Sequence, residues 1–221
     1  MSRNRRGYAG FGPALRVTIF TLLLATPAGA QVTAAAGYTK IPEVGDESSQ
    51  QGLAARVGFY LRPQRAVSFG LELGFDRLDE DGYRWGPASC LLPSGQIGDC
   101  VGTFRGQDNS VSLSVIARYQ VRRPGISPYL LIGVGNLRTR SHVRQEATDG
   151  AGNRLPNFEF DATRTENNAM AHLGAGLGVP LRGRPLMFTL EGRVSPVLYG
   201  YDGSPGIAFG PSLTAGVRLN P

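Results

Sequence analysis

The chain contains 221 residues, with 23 Lys or Arg and 17 Asp or Glu, and its formal net charge is +6. Four of the basic residues lie within the first thirty, so residues 31–221 carry 19 basic and 17 acidic side chains and a charge of only +2. So small a charge gives little of the electrostatic attraction on which nucleic-acid binding depends, and we expect no nucleic-acid partner.

Residues 1–30 have the composition of a secretory signal peptide. They contain four arginines and no acidic residue, then an apolar run over 17–25, and Ala28 and Ala30 occupy the small-x-small positions of a cleavage site. The apolar run is too short for a retained helix, because crossing a bilayer takes about 20 residues. We therefore expect residues 1–30 to be removed and residues 31–221 to form one exported domain.

Alternating apolar and polar residues predict a series of β-strands in this domain. The clearest example is 110–121, where Val111, Leu113 and Val115 alternate with serines, so that one face of the strand is apolar and the other polar. The same period-two pattern marks eight segments, namely 31–41, 51–62, 66–78, 108–121, 128–141, 165–181, 185–199 and 206–219.

The connections between these segments alternate in length. They are long after the first, third and fifth strands and tight after the second, fourth and sixth, and a modest glycine-rich loop follows the seventh. Outer-membrane barrels combine an even strand number with short periplasmic turns, longer outer loops and both termini in the periplasm. The sequence therefore predicts an all-β fold, an eight-stranded antiparallel up-and-down transmembrane β-barrel located in the cell outer membrane.

Most of the predicted strands pair an apolar face with a face that carries full charges. In the third strand, for example, Phe69, Leu71 and Leu73 alternate with positions that include Glu72. Because an arginine facing lipid costs roughly 2 to 4 kcal/mol near the bilayer midplane, we expect the charged face to line the lumen. The predicted lumen charge network comprises Arg56, Glu72, Asp76, Arg118, Glu191 and Arg193.

The predicted network has two interpretations, since side chains just fill the interior of an eight-stranded barrel. The charges can neutralise one another and plug the lumen, or they can line a selective narrow pore. Unpaired buried charges are costly, so pairing is expected in both cases. We favour the plug and keep the pore as the alternative.

The fifth predicted strand is ambiguous, because residues 130–134 are apolar on both faces. If Tyr129 faces outward, it belongs to the aromatic girdle at the periplasmic interface. We place Tyr129, Leu131, Gly133, Gly135 and Leu137 outward, since this choice turns Asn136, Arg138 and Arg140 inward.

The two cysteines, Cys90 and Cys100, enclose a short segment of a chain that we expect in an oxidising compartment. We expect an intraloop disulfide, worth about 2 to 3 kcal/mol in the chain-entropy account, and two buried free thiols are the alternative. The cysteines lie in the long loop 79–107, which together with the charged loop 142–164 is the candidate site for an extracellular ligand. Solvated charge without a ligand is the simpler explanation of both loops.

Partial alternation beyond the membrane-depth residues predicts that strands five and six continue as a hairpin above the membrane. The alternation covers 137–147 and 157–165. In such a hairpin the basic side chains of one strand lie diagonally near the acidic side chains of the other. The basic residues are Arg138, Arg140 and Arg144, and the acidic residues are Glu159 and Asp161.

Pro196 and Pro211 lie within the seventh and eighth predicted strands, although proline cannot donate a hydrogen bond to a β-ladder. If these strands pair through a turn near 200–205, both prolines fall in the outer half of one seam, which is then short of hydrogen bonds. A local bulge at the rim and a lateral opening that admits a lipid chain are the two interpretations.

The sequence offers little for catalysis or metal binding. His142 is expected at or above the outer rim, and His172 is expected on the inward face of the sixth strand, where no serine follows it closely. Residues 149–153 supply too few oxygen donors for a calcium loop, and the glycines of 174–178 lie inside a strand. We expect no metal and no cofactor, and a lipid-modifying enzyme is the least favoured alternative.

With these strands in place, the chain resembles the small outer-membrane barrels of the OmpA transmembrane-domain and OmpX type over nearly all of 31–219. The segments SPYLLIGVG at 127–135 and AHLGAGLG at 171–178 are similar to that family's fifth and sixth strands. The resemblance supports a non-enzymatic protein for envelope integrity or cell-surface interaction, with a small porin-like channel as the alternative. It also implies contact with outer-membrane lipid and the barrel-assembly machinery, and a monomer.

Overall fold

The structure, a computed structural model, describes residues 30–41, 50–61, 65–92, 94–121, 125–201 and 204–219. The predicted signal peptide, apart from Ala30, lies outside these residues, and its removal stays a prediction. In the part of the chain that the structure describes, no helix is long and apolar enough to cross a membrane.

Eight antiparallel strands close into a barrel in chain order, with the first strand paired to the last. This confirms the predicted fold, because every strand pairs with its sequence neighbours and none crosses over. A short 3-10 turn at Pro156–Phe158 lies between the fifth and sixth strands. The strands are β1 (Ala30–Ile41), β2 (Gln50–Leu61), β3 (Val67–Leu91), β4 (Ile97–Gln120), β5 (Ser127–Asp149), β6 (Phe160–Pro180), β7 (Leu186–Tyr201) and β8 (Ser204–Leu219).

The outward face of the barrel is an apolar belt. On β3, Phe69, Leu71 and Leu73 are all more than half exposed, whereas the intervening Glu72 is buried in the lumen. The apolar outward positions of β3 run from Val67 to Phe75, close to the about 9 to 11 residues that a tilted strand needs to cross a bilayer. An apolar exterior around a charged interior is the arrangement of a membrane-spanning barrel.

Strands β3 to β6 extend well beyond this belt. The predicted loop 79–107 is instead mostly strand, since β3 continues to Leu91 and β4 begins at Ile97, with register shifts at Glu80/Tyr83 and Trp85/Ala88. The hairpin predicted for strands five and six is confirmed, with β5 ending at Asp149 and β6 beginning at Phe160. The four strands form one sheet outside the membrane, because β4 and β5 stay paired as far as Cys100 and Asp149.

The charge pairing predicted for this hairpin is only partly correct. Arg144 and Asp161 are cross-strand neighbours, but Arg144 forms its ion pair with Glu146 and Asp161 lies near His142. Arg138 and Arg140 lie opposite Asn167 and Thr165 rather than opposite acidic residues. Glu159 pairs with Arg154.

A second small core lies at the tip of the extramembrane sheet. The predicted disulfide between Cys90 and Cys100 is present, and both cysteines are buried together with Ala147 and Leu155. Phe158 packs against this cluster from the 3-10 turn. The disulfide therefore lies where the two hairpins meet, rather than in an isolated loop.

The two prolines lie in the seam between β7 and β8, in the outer half as predicted, but this seam is not interrupted. Val194 pairs with Pro211 and Pro196 pairs with Phe209 within a register that runs unbroken from Leu186 to Tyr201. The expected bulge is therefore absent from these described residues. The interruption lies on the other side of β7, where pairing with β6 stops at Met170–Val197 and resumes at Leu173–Val194.

The predicted orientation of the fifth strand is wrong by one residue. Tyr129 and Leu131 are 3% and 2% exposed and face the lumen with Leu137, whereas Leu130, Ile132 and Val134 are 58%, 62% and 64% exposed. Gly133 and Gly135 lie on the inward face with them, and Asn136, Arg138 and Arg140 point outward. Tyr129 is accordingly absent from the aromatic girdle at the periplasmic interface.

Candidate functional site

The middle of the lumen is occupied by three charged side chains. Arg193 on β7 donates through Nη1 and Nη2 to Glu72 on β3, the second of these bonds measuring 3.0 Å. It also donates to Glu191 Oε1 through Nη2 at 2.6 Å and Nε at 3.1 Å. All three side chains are buried. Because β3 and β7 lie four positions apart in a ring of eight strands, this ion triad spans the lumen.

An ion pair lies toward the outer end of the lumen. Arg56 Nη2 donates to the two carboxylate oxygens of Asp76 at 2.8 and 3.0 Å. Its Nη1 donates to the carbonyl oxygens of Ala55 and Phe75 at 3.0 and 3.2 Å. Both terminal nitrogens of this guanidinium are thus engaged in charge-assisted or backbone hydrogen bonds.

Two arginines near the periplasmic end are held by tyrosines instead of carboxylates. The Arg118 guanidinium lies 3.8 Å from the centroid of the Tyr60 ring and 4.8 Å from that of Tyr129. The Arg218 guanidinium lies 4.9 Å from the same Tyr129 ring. Contacts of this kind stabilise a buried cation through the quadrupole of the ring.

The expected mutual neutralisation therefore does not extend to Arg118. Among the described residues, neither Arg118 nor Arg218 has a carboxylate within 4.0 Å. Arg118 donates to Gln31 at 3.5 Å, and Arg218 donates to Gln120 at 2.9 Å and to Met187 Sδ at 3.7 Å. Arg118 Nε and Arg218 Nε and Nη2 have no hydrogen-bond partner in this part of the chain. The periplasmic end of the lumen thus carries an excess of positive charge.

The two tyrosines connect these arginines to the ion triad. Tyr60 donates its hydroxyl hydrogen to Glu72 at 3.3 Å, and Tyr129 donates to Glu191 at 3.0 Å. Each ring lies over a glycine that is its direct cross-strand partner, Gly70 for Tyr60 and Gly176 for Tyr129. An aromatic side chain that covers a facing glycine is a recurrent device of curved sheets.

Neither tyrosine is among the predicted lumen residues. Arg218 is not part of the predicted charge network, although its alternation with Val217 and Leu219 predicts the inward face on which it lies. Tyr60 could have been found, because it alternates with Phe59 and Leu61 on the apolar face. Tyr129 required the direction of β5, which its sequence leaves open.

His172 forms a further polar cluster inside the barrel. Its Nε2 lies 2.8 Å from Ser114 Oγ on β4 and its Nδ1 lies 2.9 Å from Ser195 Oγ on β7, so both ring nitrogens are engaged. The inward orientation predicted for His172 is correct, and the side chain is only 2% exposed. The sequence pattern does not identify Ser114 and Ser195 as its partners, because they are distant from His172 in the chain. The other histidine, His142, lies on the outer hairpin as expected, 3.2 Å from Thr163 Oγ1.

A small cavity of about 40 Å³ lies at the outer end of the lumen. It is bounded by Arg56, Asp76, Ser110 and Ser195, and by the apolar Leu137 among others. A space of this size holds water but no substrate of the size of a lipid.

The tip of the β5–β6 hairpin is organised by one carboxylate. Asp149 accepts hydrogen bonds from the backbone N–H groups of Ala151 at 3.0 Å and Asn153 at 2.7 Å, and from Asn153 Nδ2 at 2.9 Å. These bonds, first that from the Asn153 side chain, lower the pKa of Asp149 below its ordinary value. Across the described ranges, no group of three or more His, Cys, Asp or Glu side chains could hold a metal ion.

Solved structures with a similar architecture include bacterial surface and outer-membrane proteins. Neisserial surface protein A gives a TM-score of 0.50 at 17% identity, over 87% of this chain and 97% of that chain. A major outer membrane protein from Thermus thermophilus gives a TM-score of 0.50 at 17% identity, over 86% and 98%. Ail, the attachment invasion locus protein of Yersinia pestis, was solved in complex with the heparin analogue sucrose octasulfate. It gives a TM-score of 0.45 at 14% identity, over 86% of this chain and 99% of that chain.

Identities this low show a shared fold. The likeness to small outer-membrane barrels that the sequence predicts is confirmed at that level, and with the apolar belt it places the protein in an outer membrane. No protein-family model matches the chain, and no curated protein sequence matches it.

Proposed function

We propose that the protein is a non-enzymatic outer-membrane barrel that serves envelope integrity or cell-surface interaction and whose lumen is plugged by charged side chains. The observation that carries the plug is the ion triad of Arg193, Glu72 and Glu191, which bridges opposite walls of the barrel. Breaking such a buried pair from one side costs roughly 3 to 5 kcal/mol, so the triad resists opening.

The extramembrane sheet of β3 to β6 supports a role at the cell surface. It carries its own disulfide and core and presents exposed charged pairs such as Arg144–Glu146 and Arg164–Glu166. We propose the segments 79–107 and 142–164 as the contact surface for an extracellular ligand. We further propose outer-membrane lipid and the barrel-assembly machinery as partners of a monomeric protein.

The cluster around His172 supports a non-enzymatic role. Both serine hydroxyls bind the same imidazole inside the barrel, and the adjoining cavity is too small for a lipid chain. A lipid-hydrolysis assay on refolded protein should show no fatty-acid release that depends on His172. Release that disappears in His172→Gln would establish an enzyme instead.

A narrow anion-conducting pore is the second candidate. It is favoured by the three guanidinium nitrogens of Arg118 and Arg218 that lack hydrogen-bond partners among the described residues, because unpaired cations along a lumen attract permeating anions.

Single-channel conductance of the refolded mature barrel separates the two candidates. The plug predicts no resolved openings for the wild type and measurable current for Glu72→Gln/Arg193→Met, which removes the strut across the lumen. Arg77→Gln/Asp79→Asn is the matched control, because it removes an ion pair on the exposed outer face. Wild-type current with an anion preference that Arg118→Gln abolishes would establish the pore.

A further inference from the structure

The outward face of β5 changes from apolar to basic at the upper edge of the apolar belt. Leu130, Ile132 and Val134 are exposed to the surroundings of the barrel, and Arg138 and Arg140 follow on the same face. Arg138 is the cross-strand partner of Val111, which is itself the partner of Phe75. Arg138 therefore lies in register with Phe75 and Val111, the last apolar residues of the belt on β3 and β4.

A third arginine, Arg77, lies beside Arg138 and Arg140. Arg140 on β5 is opposite Asn109 on β4, and Asn109 is opposite Arg77 on β3, so the three side chains share one row. Neighbouring strands are about 4.8 Å apart, so the backbones at Arg77 and Arg140, two strands apart, are separated by roughly 10 Å. Residues two apart on one strand, such as Arg138 and Arg140, are separated by about 7 Å. We name Arg77, Arg138 and Arg140 the outer-rim basic patch.

The patch differs in its pairing from two other arginines of the extramembrane sheet, Arg144 and Arg164. Arg144 and Arg164 lie 2.8 and 2.6 Å from carboxylate oxygens of Glu146 and Glu166. In the described ranges, Arg138 and Arg140 have no carboxylate within 4.0 Å, and Arg77 has only Asp79 at 3.6 Å. Side chains of like charge repel at this spacing, and within the described ranges the fold supplies a counter-ion for Arg77 but none for Arg138 and Arg140.

We infer that the outer-rim basic patch binds the phosphate groups of lipids in the outer leaflet. The inference rests on the outer-membrane location, because the patch then lies in the headgroup region of that leaflet. A guanidinium binds phosphate through two parallel hydrogen bonds, and Asn109 adds a neutral amide donor between Arg77 and Arg140. A lipid fits better than a soluble polyanion, since the apolar row through Phe75 and Val111 contacts the acyl chains below the bound phosphate.

Native mass spectrometry of the refolded mature protein tests this inference with two probes, lipid A carrying both phosphates and the same lipid after dephosphorylation. The wild type should retain the phosphorylated lipid in preference to the dephosphorylated lipid. Arg138→Gln/Arg140→Gln should reduce that preference about 30-fold, since each arginine near an anionic surface contributes roughly a factor of five. Arg138→Lys/Arg140→Lys should keep part of it, because charge remains while bidentate geometry is lost.

Arg154→Gln/Arg164→Gln is the matched control, because it removes the same charge from the same hairpin away from the rim. It should keep the wild-type preference. Equal retention of the two probes by the wild type, or an unchanged preference in Arg138→Gln/Arg140→Gln, would overturn the inference. So would full competition by soluble heparin or inorganic phosphate, which would identify a site for soluble polyanions. Single-channel conductance does not depend on Arg138 and Arg140, because they lie outside the lumen. A negative result in the lipid experiment would therefore not contradict the proposed plug.

Discussion

Two glycines determine where the tyrosines of the lumen lie. A Cβ atom on Gly70 would come within 2.6 Å of Tyr60 Cδ1, and one on Gly176 would come within 2.4 Å of Tyr129 Cζ. The rings therefore occupy the volume that side chains at these positions would need. Because the tyrosines hold Arg118 and bind the ion triad, these two backbone positions support the whole periplasmic half of the lumen.

Gly176→Val should destabilise the barrel by about 1 to 3 kcal/mol, the usual cost of overpacking a filled interior. Gly192→Val is the matched control, because Gly192 faces outward and its Cβ would meet nothing within 4 Å. Valine also favours a strand, so this control should be neutral or stabilising. Thermal unfolding, followed by heat-modifiable migration on gels, measures both variants. Equal effects of the two would show that Tyr129 does not fill the lumen at Gly176.

Alternation is sufficient to orient most lumen residues but not those of β5. Arg56, Glu72 and Glu191 face inward as predicted because their neighbours on either side are apolar. In β5 both faces are apolar over 130–134, so the choice depends on turning Arg138 and Arg140 away from lipid. Above the membrane an outward arginine meets water or headgroups at little cost, so Arg138 and Arg140 do not determine the direction of β5.

The hydrogen bonds to Asp149 make the hairpin tip sensitive to acid. Because they lower the pKa of Asp149 in the folded tip, their contribution to stability is present above the unfolded pKa of about 3.9 and is lost as pH falls through the lower folded value. NMR shifts of the Ala151 and Asn153 amides should therefore change with a midpoint below about 3.9. Asp149→Asn should abolish this titration. A midpoint at or above the ordinary Asp value would contradict the assigned bonds.

At the level of strands, the main difference from expectation is which neighbour loses hydrogen bonds to Pro196. In a strand the N–H groups point alternately to the two neighbouring strands, so a proline weakens only one of its two seams. The sequence places Pro196 in β7 but leaves open whether its missing N–H faces β6 or β8. The unbroken β7–β8 register and the interruption between Met170 and Leu173 identify the β6 side.

Pro196→Val should restore pairing between β6 and β7 and raise stability by about 0.5 to 1.5 kcal/mol, the net contribution of one hydrogen bond. Pro211→Val should change little, because the described pairing of β8 with β1 ends at Ser212, one residue before Pro211 is reached. Amide exchange at Ala171 and Leu198, whose N–H groups face the β6–β7 seam, measures the difference. Slower exchange in Pro211→Val than in Pro196→Val would show that the weak seam lies between β7 and β8.

The sequence pattern also underestimates the length of β3 and β4, because the pairing between these two strands contains register shifts. Register shifts at Glu80/Tyr83 and Trp85/Ala88 each insert one extra residue into β3, so the period of two is interrupted after each shift. The period-two pattern therefore fails over 79–91 although the strand continues. β5 and β6 have no such shift and retain enough alternation for their hairpin to be predicted.

The whole molecule consists of a barrel and an extramembrane sheet, each with its own interior. The barrel is filled by charged and aromatic side chains, whereas the tip of the sheet is filled by the disulfide with Ala147 and Leu155. The strands β3 to β6 are continuous through both parts, but the buried clusters do not touch. We therefore expect the tip to loosen without unfolding of the barrel.

Reduction of the Cys90–Cys100 disulfide should leave the heat-modifiable migration of the folded barrel unchanged and increase proteolysis of the tip. Cleavage should rise in both 79–107 and 142–164, because the buried cysteines pack against Ala147 and Leu155 of the other hairpin. Leu155→Ala with the disulfide intact is the companion variant and should expose 142–164 more than 79–107. Loss of the folded gel band on reduction would show that the disulfide holds the barrel together, and cleavage confined to 79–107 would show that the two hairpins do not share a core.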